Sequence, residues 1–234
     1  MNEISTAAGA VRGNPYPGRG IVVGAPASGN KVFFAYFIMG RSENSRNRVL
    51  ALDDGALKTR PYDESKVKDP SLIIYNAMRR VGDKAVLTNG DQTDTVVDAL
   101  TAGKSFFDAL LTRTFEPDAP NYTPRISALI DLRSGGYDMI ILRRNEGGEC
   151  ERGEYSYPLK AGFGRILHTY QGDGDPLPSF MGAPREILVE DSLERFANEL
   201  WDALDKGNKI SLFARAVDLT TGEESTLLYN KNAR

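Results

Sequence analysis

The first clear pattern in the chain is the run Arg19-Gly20-Ile21-Val22-Val23-Gly24, followed after Ser28-Gly29-Asn30 by a second run over residues 31–40. Two apolar runs around a turn-forming triplet predict a hairpin of two strands. Side chains alternate along a strand, so Phe33, Ala35, Phe37 and Met39 share one face while Phe34, Tyr36 and Ile38 share the other. Both faces are apolar. Such a strand must be covered on both sides, which predicts three or four layers. Shorter β-rich runs predict further strands at 48–52, 72–79, 84–88, 125–132, 138–143, 186–189, 210–217 and 225–229. Helical spacing predicts helices at 93–103, 105–113 and 192–206. In the last of these Leu193, Phe196, Ala197, Leu200, Trp201 and Leu204 form one stripe, with Ser192 as N-cap and Gly207 as the stop. Strands dominate, and the class is α+β.

Composition narrows this. With 234 residues, 41% of them hydrophobic, the chain can bury a substantial core, and the reading is a loose Gly/Pro-rich leader over 1–17 and a single domain over 18–234. Charged residues make up 26% but nearly cancel, to a net charge of -3. That removes the bulk attraction on which nonspecific binding to nucleic acid or a membrane surface depends, so neither is expected as a partner. Cys150 is the sole cysteine, which excludes an intrachain disulfide and a cysteine metal cluster and fits a reducing cytoplasm. The first ten residues do not have the basic-then-apolar order of a secretory signal. The longest apolar run, 32–39, is well short of the roughly 18 residues that a spanning helix needs.

Several segments carry candidate chemistry. Arg41-Ser42-Glu43-Asn44-Ser45-Arg46-Asn47-Arg48 leaves the doubly apolar strand as a donor-rich connection. Arginine forks match phosphate geometry, so it reads either as an anion clamp or as a solvated turn. Thr88-Asn89-Gly90-Asp91-Gln92-Thr93-Asp94 joins a strand to a helix through an Asn-Gly turn. Asp91 or Thr93 could cap that helix, and the same turn could aim Asn89 at a ligand. Tyr75 and Asn76 sit in an otherwise apolar strand, facing opposite layers. A buried asparagine costs about 1–3 kcal/mol unless paired, so Asn76 needs partners in protein or ligand. Arg125 follows Pro124 at a strand mouth, where it could reach a site or form a surface ion pair. His168 is the only histidine, and with no second one to complete a typical metal set, a packed or hydrogen-bonded role is expected. No Gly-x-Ser-x-Gly elbow supports a serine triad through it. Gly18-Arg19-Gly20 precedes its strand rather than following one, and no P-loop motif occurs, so the usual nucleotide loops are excluded.

Taken in order, Gly18-Arg19-Gly20-Ile21, Gly40-Arg41-Ser42 with Asn47-Arg48, Tyr75-Asn76, Val81-Gly82-Asp83, Thr88-Asn89-Gly90 with Thr93-Asp94-Thr95, and Thr123-Pro124-Arg125-Ile126 resemble the archaeal-type inosine monophosphate cyclohydrolase family. The resemblance is close over 18–95, returns around 123–130 and at Thr169-Tyr170, and is weak across the last third. It implies a four-layer αββα sandwich like that of the N-terminal-nucleophile hydrolases, without that fold's terminal nucleophile, since a leader precedes Gly18. The implied reaction is closure of a purine ring. The carboxamide nitrogen of a formamido-imidazole-carboxamide ribonucleotide attacks its own formyl carbon, and water is lost without a metal or redox cofactor. Carried over to this chain, Arg41, Ser42 and Arg48 would hold the phosphate or a developing oxyanion. Asn89 and Arg125 would orient the carboxamide and formyl oxygens, and Tyr75 would donate or transfer a proton. Asp91 and Asp94 would be bases unless they cap the helix; Asn76 and Thr93 would contact substrate; Tyr170 would stack or hydrogen-bond near the base. The family pattern places a histidine near Gln92. Glutamine can orient but cannot exchange a proton at neutral pH, so the general acid or base stays open. Two rivals stay open as well: an amidohydrolase of the same fold acting on another nucleotide, and a noncatalytic nucleotide-binding module. A homo-oligomer is compatible with all three.

Overall fold

A computed structural model describes residues 4–67 and 74–232. The chain begins with α1 (Ala7–Val11), β1 (Arg19–Gly24), β2 (Lys31–Met39), the one-turn α2 (Glu43–Arg46), β3 (Arg48–Asp53) and β4 (Ala56–Pro61). It continues through β5 (Asn76–Val81), β6 (Lys84–Thr88), α3 (Gln92–Thr101), α4 (Phe106–Leu111), β7 (Arg125–Asp131), β8 (Tyr137–Arg144) and β9 (Cys150–Tyr157). It closes with β10 (Phe163–His168), β11 (Arg185–Leu188), α5 (Leu193–Ala203), β12 (Lys209–Asp218) and β13 (Glu224–Asn230). The strands form two antiparallel sheets. One has six strands in the order β11-β10-β1-β2-β12-β13, and the other is a seven-stranded meander from β3 to β9 in chain order.

The alternation in β2 sorts its side chains as the sequence predicts. Val32, Phe34, Tyr36 and Ile38 enter the core between the sheets, against Leu50, Met78, Leu87, Ile126 and Met139 of the meander. Phe33, Ala35, Phe37 and Met39 enter a second core under α1 and α5. There the α5 stripe of Leu193, Phe196, Ala197 and Leu200 is buried, and the Phe33 and Phe196 rings lie 5.9 Å apart. A third core joins Val86, Leu129, Ile140 and Leu142 of the meander to Val96, Val97, Phe106 and Leu110 of α3 and α4. Each large apolar side chain buried this way contributes about 1.5–3 kcal/mol, so the two sheets are held to each other and to their outer helices by ordinary burial. Among the described residues, no helix is long and apolar enough to cross a membrane.

Several expectations are corrected. The segment read as a loose leader is docked: Ala7, Ala8 and Val11 of α1 are buried, α1 packs on α5, and the Leu188 amide donates to Ser5 O at 2.9 Å. Short alanine-rich helices carry little periodicity, which hides them from a pattern reading. β4, β9 and β10 were not anticipated. β9 is an edge strand rich in Glu, Arg and Ser, the composition that blunts an edge and conceals a strand. Gly207 does not stop α5, which ends at Ala203 where Leu204 turns to extended geometry with its side chain buried. The strand expected over 72–79 begins at Asn76, and its first two expected positions lie outside the described residues.

Candidate functional site

The site forms where the ends of the two sheets meet. Gly18 and Gly20 bring β1 against its neighbours so closely that a Cβ at Gly18 would lie 2.2 Å from Thr169 Oγ1, and one at Gly20 2.1 Å from the Phe37 ring. Arg19, held between them, lines two adjoining chambers together with Asp118 and Thr123.

The outer chamber, about 260 Å³, is lined by Arg41, Ser42, Arg48, Tyr16 and Tyr170 among others. The segment expected to be a loop contains α2, and Ser42 is its N-cap, accepting from the Ser45 amide at 3.1 Å. The turn swings Arg48 inward to 1% exposure, where its Nε donates to Ser45 O at 2.8 Å and its Nη2 to Met39 O at 3.4 Å. Burial and then the neighbouring Arg19 charge lower the Arg48 pKa. Neither Arg19 nor Arg48 has an ion-pair partner among the described residues, and Arg19 Nε is buried with no hydrogen bond. Three arginines, Arg19, Arg41 and Arg48, against one carboxylate, Asp118, line this chamber, and the excess of positive charge favours an anion. Arg41 is more exposed. It lies over the Tyr16 ring at 5.1 Å and pairs with Asp173 and Gly174 O. Tyr16 stacks on Tyr170 with ring centres 5.8 Å apart, and the Tyr170 hydroxyl meets Thr123 Oγ1 at 2.5 Å.

The inner chamber, about 180 Å³, is lined by Tyr75, Asn89, Gly90, Asp91, Glu116, Asp118 and Arg125 besides Arg19. Asn89 Oδ1 accepts from Ile126 N at 2.8 Å and from Gln92 Nε2 at 3.0 Å, while its Nδ2 donates to Pro124 O at 2.9 Å. One amide hydrogen is left, so Asn89 offers the chamber a donor and no acceptor. Arg125 Nη1 is held by Gln92 Oε1 at 2.6 Å, Asp91 Oδ1 at 2.7 Å and Glu116 Oε1 at 2.9 Å, leaving its buried Nε without a partner. Burial pushes the Glu116 carboxyl above its ordinary pKa despite the Arg125 and Arg19 charges. Burial acts the same way on Asp91, but a hydrogen bond from Arg113 and the charges of Arg125 and Arg113 outweigh it and hold Asp91 below its ordinary value. The loop carrying Glu116 and Asp118 is fixed on both sides: Glu116 N donates to Thr123 O at 2.9 Å, and Asp118 accepts from Thr123 N at 2.6 Å. Tyr122 in this loop has φ 43°, a left-handed conformation that costs a non-glycine residue about 1–2 kcal/mol.

A family model described as IMP cyclohydrolase-like protein matches residues 16–223. The chain belongs to this family. Similar relatives are the IMP cyclohydrolase of Methanococcus maripaludis strain C7, 39% identical over 61% of this chain and 72% of that protein, and that of Methanothrix thermoacetophila, 32% identical over 74% and 83%. The IMP cyclohydrolase of Methanopyrus kandleri is 33% identical over 50% of this chain and 59% of its own length. The IMP cyclohydrolase-like match extends through most of the last third, where the sequence pattern was weak. That third supplies β10 to β13, four strands of the six-stranded sheet.

Within this IMP cyclohydrolase-like domain, the residues singled out from sequence divide in two. Arg41, Ser42, Arg48 and Tyr170 line the outer chamber, and Tyr75, Asn89, Asp91 and Arg125 the inner one. Gln92 lines neither; it is fully buried and braces Asn89 and Arg125 from behind. Thr93 is likewise buried, bonded to Thr88 Oγ1 at 2.7 Å. Asn76 donates to Asp94 at 2.9 Å and Arg79 to Asp94 at 2.8 Å, a protein-internal pairing away from both chambers. Asp91 makes no side-chain cap on α3, its carboxylate being taken by Arg125 and Arg113. His168 is packed as expected: Nδ1 meets Tyr170 O at 2.8 Å and its ring abuts Phe180. Pattern reading missed Arg19, Tyr16, Glu116, Asp118 and Thr123. The signal for Arg19 in the sequence is its place between two glycines, Gly18 and Gly20.

Proposed function

We propose that this chain is an inosine monophosphate cyclohydrolase, acting on a formamido-imidazole-carboxamide ribonucleotide in purine biosynthesis, on a four-layer frame akin to that of the N-terminal-nucleophile hydrolases. The observation that carries the reading is the excess of guanidinium groups in the outer chamber, Arg19, Arg41 and Arg48 against Asp118, with Arg19 and Arg48 outside any ion pair among the described residues, beside a chamber holding Tyr75, Asn89, Glu116 and Arg125. A phosphorylated ligand satisfies the outer chamber, with Arg19, Arg41 and Arg48 on its phosphate and Ser42 at the rim. Its base then enters the inner chamber, past the stacked Tyr16 and Tyr170 rings that line the outer one.

Ring closure asks for three things: the carboxamide nitrogen held against the formyl carbon, donors for the formyl oxygen as it gains charge, and a proton for the hydroxyl that leaves as water. The free Asn89 N–H is a donor fixed by bonds on its far side, so it needs no rearrangement during the reaction, and the Arg125 guanidinium, held by Gln92, Asp91 and Glu116, lends its positive charge to the same chamber. Glu116, its carboxyl raised by burial, carries the departing proton in the role a histidine at position 92 would otherwise fill. Asp91, ion-paired and held charged, steadies Arg125 instead of acting as a base. The test is direct: purified protein is mixed with the formamido ribonucleotide and the rise of purine absorbance is followed. A flat trace from folded protein rejects the assignment.

A further inference from the structure

Tyr36 touches no ligand chamber, yet its hydroxyl is placed to control one that does. It projects from β2 into the core between the sheets, is fully buried, and has one hydrogen-bond partner among the described residues, the Tyr75 hydroxyl at 2.8 Å. Either oxygen could donate in an isolated pair. Here the surroundings choose. A buried O–H left without an acceptor costs about 1–3 kcal/mol, and Tyr36 has no second acceptor, so its proton points at Tyr75 Oη. The Tyr75 oxygen therefore accepts on its core side, and its own proton turns to the inner chamber that Tyr75 lines. Hydrogen bonds in a chain polarise one another, so a phenol that accepts from a buried neighbour is a stronger donor in turn.

We propose that Tyr36 is a positioning residue that fixes Tyr75 as a hydrogen-bond donor to the substrate oxygen that gains charge during ring closure. The inference rests on the cyclohydrolase reading and sharpens it. Tyr75 acts as a donor with a set direction rather than as a base, and half of its geometry is supplied by a residue on the opposite sheet. Tyr36 is also the one polar side chain among the inward residues Val32, Phe34, Tyr36 and Ile38 of β2. A phenylalanine there would fill the core equally well without the hydroxyl.

The experiment is a double-mutant cycle in the ring-closure assay, using the full chain. Wild-type turnover is measured first; its absence sinks the cyclohydrolase reading and this inference with it. Given turnover, Tyr36→Phe is expected to lower kcat about tenfold with KM within about twofold, and Tyr75→Phe to lower kcat about a hundredfold. The double variant should match Tyr75→Phe alone, because Tyr36 acts only through Tyr75. A double variant lower by a further factor of about ten would mean independent, merely structural effects and overturns the proposal. Should Tyr36→Phe fail to fold, 3-fluorotyrosine placed at position 36 preserves the donor and is expected to keep kcat within about twofold of wild type. A fall with that analogue as large as expected for the hydroxyl's loss overturns the proposal equally.

Discussion

Replacing Arg48 by methionine should make the unliganded protein more stable while weakening its grip on the nucleotide. Arg48 is 1% exposed, and burial and the Arg19 charge both disfavour its ionised form. Its compensation is two carbonyl bonds, at 2.8 and 3.4 Å, and the Met39 carbonyl in the second also receives the Tyr16 hydroxyl at 3.5 Å. A buried charge without a counter-charge costs several kcal/mol, and hydrogen bonds from a charged group return about 1.5–3 kcal/mol each, the longer one least. Methionine is shorter but flexible and apolar enough to fill most of the same space without a charge, so the net expectation is a gain of about 1–2 kcal/mol in the absence of ligand. At about 2–4 °C per kcal/mol for a domain of this size, Tm should rise by about 2–8 °C. With inosine monophosphate at about 100 times its Kd, wild-type protein gains about 2.7 kcal/mol; a tenfold weaker variant gains about 1.4 kcal/mol at the same concentration. Thermal scans with and without the nucleotide give both quantities. A variant that melts earlier than wild type yet keeps the full ligand shift would show that Arg48 is structural and that the outer chamber is not a phosphate site.

Other expectations follow from the same geometry. His168, fully buried with Nε2 unpaired, has its pKa lowered to about 4 by burial, so the unfolded chain takes up a proton that the folded one refuses. The stability this confers is present above pH 6.5 and is lost as pH falls toward 4, on the order of 3 kcal/mol in all. Urea unfolding at pH 7 and pH 4.5 should differ less in His168→Phe than in wild type, and an unchanged difference refutes the assignment. Asp173→Asn frees Arg41 from an exposed ion pair worth about 0–1 kcal/mol, so inosine monophosphate should bind about two- to fivefold more tightly by calorimetry. Weaker binding would mean that Asp173 holds Arg41 in place rather than competing for it. Glu116→Gln should lower kcat by about a hundredfold while leaving nucleotide affinity within a few-fold, and an unaltered kcat removes Glu116 from proton transfer.

The parts legible in the sequence were those where local pattern and tertiary role coincide. β2 announced both its faces, and the α5 stripe announced its core. The arginines at 41 and 48 and the Asn-Gly turn at 89 marked the chambers because donors clustered where strands end. Gln92, Thr93 and Asp94 were drawn into the site by proximity in sequence. A helix turns its residues about 100° apart, so the first turn of α3 points Gln92 behind the chamber and Asp94 away to Asn76 and Arg79. Glu116 and Asp118 lie in Glu116-Pro117-Asp118-Ala119-Pro120, which reads as an ordinary polar loop. Only the bonds to Thr123 and Arg125 make a site of it, and those are contacts that no local pattern reports.

The two sheets also differ in how much chain each needs. The meander uses residues 48–157 in unbroken succession, whereas the other sheet pairs β1 and β2 with β10 and β12, so its ladder spans residues 19–218 before the edge strand is added. During synthesis the meander can pair strand by strand as it emerges, while β2 waits for β12 with one long flank uncovered. Tyr170, Leu177 and Asp173 arrive late too, after the meander is complete. A nascent chain that has emerged only through β9 therefore lacks the Tyr170 and Leu177 walls of the outer chamber, and nucleotide capture waits for the strands that complete the second sheet.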